Sequence, residues 1–310
     1  MPTRGWQSRQ DQARLDLAQL VAEGDRLAFS TDSYVIDPLF FPGGNIGKLA
    51  ICGTANDVAV SGAIPRYLSC GFILEEGLPM ETLKAVVTSM AETARTAGIA
   101  IVTGDTKVVQ RGAADKLFIN TAGMGAIPAN IHWGAQTLTA GDVLLVSGTL
   151  GDHGATILNL REQLGLDGEL VSDCAVLTPL IQTLRDIPGV KALRDATRGG
   201  VNAVVHEFAA ACGCGIEISE SALPVKPAVR GVCELLGLDA LNFANEGKLV
   251  IAVERNAAEQ VLAALHSHPL GKDAALIGEV VERKGVRLAG LYGVKRTLDL
   301  PHAEPLPRIC

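Results

Sequence analysis

The sequence predicts a two-domain chain of mixed helices and strands, on three observations. Its 310 residues exceed what one domain usually holds, about 100–200 residues. Strand-like and helix-like segments alternate through the first half. Turn residues then gather over 128–141, where the pattern changes, placing a boundary near residue 140.

In the first domain, 26–31 reads as a strand leading into Asp32, and 45–62 as a buried helix. The β-branched and aromatic content of 66–74 predicts a strand. Residues 80–97 give the clearest helix: Leu83, Val86, Val87, Met90, Ala94 and Ala97 follow three-and-four spacing between Pro79 and Gly98. Residues 99–103 and 116–127 read as further strands. The second domain, 141–298, opens with a strand over 142–147. Helices are predicted over 151–163, 175–186, 200–211 and 226–236. Strands are predicted over 216–219, 248–253, 275–281 and 286–291. The closing segment, 299–310, holds Pro301, Pro305 and Pro307, so it predicts an extended tail, not a helix. At about 3.1 Å per residue, ten residues of it would reach roughly 30 Å.

Composition narrows the function. Hydrophobic residues make up 48% and charged residues 20%, as in ordinary globular proteins. A net charge of -7 argues against duplex DNA as a partner, because phosphate neutralisation needs a basic face. It leaves nucleotides open, since acidic enzymes bind them through magnesium. No apolar window of about 18 residues predicts a membrane span, and Met1 to Arg14 holds no signal-peptide core. Seven cysteines, an odd number in a long chain, read as reduced thiols of a cytoplasmic protein.

Several familiar motifs fail. The segment 43–48 has too few residues between its glycines for a Walker A loop, and no Ser or Thr follows Lys48. Gly123-Met124-Gly125 lacks the third glycine of a dinucleotide fingerprint. Cys212-Gly213-Cys214 has no second pair at zinc spacing and fits small residues closing a helix better than a metal site.

Acidic residues carry more. Asp32 follows a strand in Ser30-Thr31-Asp32-Ser33, and Asn56-Asp57 sits inside an apolar helix. Asp105 directly follows a strand in Gly104-Asp105-Thr106-Lys107, and Asp195 precedes a helix in Asp195-Ala196-Thr197-Arg198-Gly199-Gly200. Singly, each fits a turn, a cap or a solvent-facing position. Together at strand ends they favour a metal–nucleotide site, because a buried carboxylate such as Asp57 needs a cation. Magnesium with triphosphate oxygens suits several aspartates at once, with Lys107 balancing phosphate charge. Glu246, in Asn245-Glu246-Gly247-Lys248 ahead of a strand, fits either a turn or a general base. His153 fits a helix start as well as a catalytic role. Cys310, ending a proline-spaced tail with little to pack against, fits an exposed thiol without a role as well as a mobile nucleophile or carrier.

These residues carry a family resemblance running from about Asp11 to Cys310. With Phe40-Phe41-Pro42-Gly43-Gly44, Gly53-Thr54-Ala55-Asn56-Asp57, the segment 244–248 and the ending Pro305-Leu306-Pro307-Arg308-Ile309-Cys310, the chain resembles the HypE family of hydrogenase maturation proteins. That family lies within the ATP-binding superfamily of aminoimidazole ribonucleotide synthetase, selenophosphate synthetase and thiamine-monophosphate kinase. The aspartate motifs indicate the superfamily; the ending selects the family. The resemblance implies a two-domain α+β fold of the aminoimidazole-ribonucleotide-synthetase type. It implies N-terminal sheets that pair across a homodimer into a shared β-barrel, ATP between the domains, and a mobile tail. The implied activity is ATP-dependent dehydration of an S-carbamoyl group on Cys310 to a thiocyanate, supplying cyanide for hydrogenase iron. The implied partners are the carbamoyltransferase HypF and a HypC–HypD iron scaffold. By the same resemblance Asp32, Asp57, Asp105 and Asp195 are metal and phosphate residues. Asn56, Thr106, Thr197 and Arg198 join them at the nucleotide, and Lys107 and Glu246 meet the modified cysteine. Met1–Gln10 lacks the glycine-rich, His-Gly-containing start that usually closes over the phosphates. Two other functions fit less of the chain: a superfamily kinase or synthetase acting on a free substrate, and a non-enzymatic thiol carrier.

Overall fold

The computed structural model describes residues 12–166, 168–301 and 306–310. The segment Met1–Gln10 and Pro305 lie outside these residues.

The first half builds one four-stranded sheet. Its elements are α1 (Leu17–Glu23), β1 (Arg26–Tyr34), β2 (Phe40–Phe41), β3 (Gly44–Asn45), α2 (Ile46–Ala59), β4 (Ile64–Glu75), α3 (Met80–Ala97), β5 (Ala100–Val109) and β6 (Leu117–Ile127). The sheet order is β1-β6-β4-β5, with β4 and β5 parallel and the other pairs antiparallel. Asn45 caps α2, accepting from the amides of Gly47 (2.9 Å) and Lys48 (3.1 Å). Nearly all of α2 is buried against the sheet. A buried hydroxyl chain pins it there: Tyr34 Oη lies 3.1 Å from Thr54 Oγ1, which lies 2.6 Å from Thr121 Oγ1, which donates to the Ala50 carbonyl. Gly53 makes the approach possible, since a Cβ there would sit 2.4 Å from the Tyr34 hydroxyl. Helix α3 ends where predicted, at Gly98 in the left-handed region.

The second half adds β7 (Val143–Val146), α4 (Asp152–Glu162), α5 (Thr178–Gln182), β8 (Val190–Asp195), α6 (Gly200–Cys212), β9 (Gly215–Ser219), α7 (Pro227–Leu236), β10 (Leu249–Val253), α8 (Ala258–His266), β11 (Ala275–Val281), β12 (Gly285–Ala289) and β13 (Lys295–Thr297). Its seven-stranded sheet runs β13-β12-β9-β11-β7-β10-β8. Strands β7 and β10 are buried on both faces. Leu144, Val146, Val250 and Ala252 meet α6 on one side, while Val143, Leu145, Leu249, Ile251 and Val253 meet α5 and α8 on the other. A third cluster joins the halves, uniting α2 residues with Ala155, Ile157, Val229, Phe243, Leu306 and Ile309.

Several elements depart from expectation. Strand β8 and helices α1 and α8 had no sequence prediction. The helix expected over 175–186 is only α5, because the backbone of 175–177 is drawn into contacts with Asn56 and Glu246. Strand β5 runs on through Asp105 to Val109 by pairing with β4, so Asp105 lies within a strand and not after it. The described end of the tail is a seated turn and not an extended arm. Leu306 and Ile309 are buried, and Arg308 takes a positive φ of 54°.

Candidate active site

Four carboxylates converge where the sheets meet. Alternation along β1 turns Ser30, Asp32 and Tyr34 toward α2. Ser30 Oγ donates to Asp57 Oδ2 on α2 at 2.8 Å. Burial, with Asp57 nearby, holds the Asp32 carboxyl above its usual range, although the Ser33 amide and Arg198 oppose this. Asp195 closes β8, the edge strand next to β10. It is 3% exposed, and its Oδ2 has no hydrogen-bond partner. Burial first, and then the Asp57 charge, push its carboxyl up to about 7. Glu246 is 2% exposed, and its Oε1 is likewise unpartnered. Burial, with Cys174, Asp173, Asp195 and Asp32 around it, raises its carboxyl well above the usual range.

Buried carboxylate oxygens without donors are costly unless a cation meets them. Among the described residues, no three or more His, Cys, Asp or Glu side chains form a ready-made metal cluster. Magnesium usually takes one or two carboxylates and completes its shell with phosphate oxygens and water. Asp57 and Asp195, with Asp32 nearby, are the hard-oxygen groups that would serve such an ion.

The loop carrying Glu246 is held by a residue that sequence reading missed. Asp173 accepts from the amides of Glu246 and Gly247, each at 3.1 Å, and from Lys248 Nζ at 3.3 Å. Burial would raise its carboxyl, but Lys248 and the Glu246 amide outweigh it and hold it low. No periodicity marks Asp173, whose partners lie 73 to 75 residues away.

The tail is seated beside this loop. His153 Nε2 lies 2.8 Å from the Ile309 carbonyl, and Nδ1 lies 2.7 Å from Ser172 Oγ. Burial holds the imidazole below the usual histidine range, which keeps it neutral near pH 7. Arg161 donates to the carbonyls of Asp37 (2.6 Å), Pro307 (2.7 Å) and Arg308. Arg308 in turn donates to the Val35 carbonyl at 2.9 Å and pairs with Asp115. The Val35 amide donates to the Cys310 carbonyl at 2.9 Å, and Cys310 packs against the joining cluster. A terminal cysteine with little to pack against was expected; burial of Leu306 and Ile309 is what gives it a seat.

The remaining expected site residues divide. Thr197 and Arg198 lie in the turn between β8 and α6, and Arg198 is close enough to Asp32 to lower its carboxyl. The N-cap of α6 is Gly199, so neither Asp195 nor Thr197 caps that helix. Asn56 donates to the Ala175 carbonyl (3.0 Å) and accepts from the Leu177 amide (2.8 Å). Its carboxamide thus ties α2 to the second domain. Asp105 and Lys107 do not join the others within one chain. They pair with each other at 3.0 Å on β5, both about 70% exposed. Strand β5 lies three strand spacings from β1, roughly 14 Å. The register puts Thr106 on the α2-facing side with Asp32, and Asp105 and Lys107 on the other.

Comparison with known proteins gives this geometry a family. Residues 10–127 match the model of the AIR synthase related protein N-terminal domain, and residues 139–290 match that of its C-terminal domain. The carbamoyl dehydratase HypE of Escherichia coli K12 is 98% identical over 302 residues, covering 97% of this chain and 90% of that protein. A HypE solved in complex with ATP is 45% identical with a TM-score of 0.94, covering 100% of this chain and 92% of that one. The HypE of a HypE–HypF complex is 48% identical with a TM-score of 0.86, covering 89% and 90%. Two matched domain models and identity along nearly the whole length establish that the chain belongs to the HypE family of carbamoyl dehydratases, within the AIR synthase related proteins.

Proposed function

We propose that the chain uses ATP to dehydrate a carbamoyl group carried on Cys310, giving an S-cyanocysteine that supplies cyanide to hydrogenase iron. The observation that carries this reading is the tail seat: the main chain of Ile309 and Cys310 is bound by His153 and Val35 at the edge of the carboxylate site. Relatives in the family are named carbamoyl dehydratase, one is solved with ATP, and another with HypF.

A thiocarbamate oxygen is a poor leaving group. Transfer of the γ-phosphoryl group of ATP to that oxygen makes it phosphate. Breaking the C–O bond with loss of both nitrogen protons leaves S–C≡N, ADP and phosphate. Magnesium, when bound with the nucleotide, supplies positive charge for the transferring phosphoryl group. Asp32, Asp57 and Asp195 would hold such an ion, and Thr197 and Arg198 would lie beside the nucleotide. Glu246 takes a nitrogen proton. Burial and the surrounding carboxylates raise its carboxyl, and positive charge arriving with the nucleotide would lower it toward a base.

Asp105, Thr106 and Lys107 enter this scheme through a second copy. Both β1 and β5 are unpaired sheet edges, and Leu27, Phe29, Ile73 and Val108 expose apolar surface around them. Joining two such sheets edge to edge into a barrel places one chain's β5 beside the other's β1. Thr106 then shares a face with the partner's Asp32 and joins its nucleotide site, and Lys107, oriented by its pairing with Asp105, would reach the partner's carbamoyl group around the strand edge. The tail undocks to be loaded by HypF and to donate to HypC–HypD.

The test is the mass of the C-terminal peptide after incubation with the carbamoyltransferase, carbamoyl phosphate and ATP, with and without magnesium. ATP- and magnesium-dependent loss of one water from carbamoylated Cys310 is expected. A carbamoylated peptide that never loses water would overturn the dehydratase reading for this chain.

A further inference from the structure

We propose that His153 is a positioning residue that couples seating of the C-terminal tail to placement of Glu246. Its functional consequence rests on the dehydratase reading; its geometry does not.

The Ile309 carbonyl can only accept, so the His153 Nε2 that faces it at 2.8 Å carries the proton. Nδ1 is then the acceptor, and the Ser172 hydroxyl donates to it at 2.7 Å. Ser172 Oγ also receives the Cys174 amide at 3.2 Å. One imidazole therefore reads the tail with one nitrogen and holds the 172–174 backbone with the other.

That backbone is bolted to the catalytic loop. Asp173 accepts the Glu246 and Gly247 amides and the Lys248 ammonium, and the Ala175 amide donates to the Glu246 carbonyl at 3.2 Å. The two segments are pressed together: a Cβ on Gly247 would lie 1.9 Å from the Asp173 carbonyl oxygen. Close-packed segments of this kind move together or not at all. His153 is fully buried, and its ring meets the edge of Phe41 at 5.4 Å, so the imidazole has little room to turn. When the tail leaves, Nε2–H loses the Ile309 acceptor that fixes its tautomer. Without that acceptor the imidazole is free to exchange tautomers or shift, and either change reverses or pulls the Ser172 bond. The base is thus fully aligned only while the tail that presents its substrate is in place.

Amide hydrogen exchange of the full chain, read by mass spectrometry, tests this on two variants beside the unaltered protein. An Asn amide reaches the position of Nδ1, and a Gln amide that of Nε2. His153→Asn keeps the Ser172 contact and loses the tail donor. It should speed exchange of the 306–310 amides about tenfold and also speed exchange at Glu246 and Gly247, which it does not touch. Single-turnover dehydration of carbamoylated Cys310 should fall about tenfold. His153→Gln restores the donor to Ile309. It should bring tail exchange and turnover back to within about threefold of the unaltered protein. Faster tail exchange with no change at Glu246 and Gly247 would overturn the coupling. Equal behaviour of the two variants would overturn it too, leaving His153 a structural residue. If the unaltered protein shows no dehydration while the two segments still change together, the dehydratase reading fails and the coupling stands.

Discussion

Asp195 offers a quantitative test of the site, because its cost is visible in the empty protein. Its carboxyl is buried, has an unpartnered oxygen and is pushed from 3.8 up to about 7. Folded protein therefore binds a proton that unfolded protein releases between those pH values. Stability from this group is present below pH 4 and is lost as pH rises toward about 7. At about 1.4 kcal/mol per pH unit, the ionised form costs the metal-free protein on the order of 4 kcal/mol. Asp195→Asn removes the ionisation but buries an amide whose donors lack partners, at about 1–3 kcal/mol. The expected net gain at pH 8 is about 1–3 kcal/mol, or roughly 3–8 °C in Tm. At pH 5.5 only about half of that cost has accrued, so it roughly cancels against the buried amide and the variant's net gain should shrink to near zero. The assay is thermal unfolding at both pH values, in chelator and without nucleotide. Adding magnesium and ATP should then stabilise the unaltered protein much more than the variant. An equal shift at both pH values, or no gain at pH 8, would refute the argument that Asp195 is held ionisable for a cation.

Other predictions concern the tail, the second copy and the loop. Cys310→Ala should leave ATP binding and Tm nearly unchanged and abolish thiocyanate formation; cyanylated product from this variant would remove Cys310 as carrier. Glu246→Ala should bind ATP and fail to dehydrate, and Lys107→Ala should behave likewise. Mixing those two chains under conditions of subunit exchange should recover about a quarter of the activity, since half the dimers then hold one intact site. No recovery would place both residues in one chain's site. Gly247→Ala should lower stability by on the order of 2–4 kcal/mol in urea unfolding, because its Cβ has no room beside the Asp173 carbonyl.

The elements read best from sequence are those whose signal is local. Helix α3 is exposed on one side, so its apolar stripe stands out, and Gly98 stops it through a backbone conformation that glycine favours. Helix α2 was legible as buried because it is apolar almost all round. Strand β8 and helix α5 were misread for the opposite reason. Strand β8 is defined by pairing with β10, and α5 is cut short by contacts that reach Asn56 and Glu246 across more than 70 residues. Within the site, Asp32, Asp57, Asp195 and Glu246 could be picked out as polar residues at strand ends or in apolar surroundings. Asp173 could not, since nothing near it in sequence distinguishes it from any acidic loop residue.

The sequence by itself determined the class of chemistry and the family, because acidic motifs and a terminal cysteine are chemical facts that need no coordinates. Tertiary structure alone decided how those groups meet. It gathered Asp32, Asp57, Asp195 and Glu246 at one junction, left Asp105 and Lys107 on a distant edge strand, and seated the tail on His153. The physical reason is range. Helix periodicity and turn chemistry act over a few residues, whereas burial and charge at the site arise from strand register and packing between segments up to 156 residues apart.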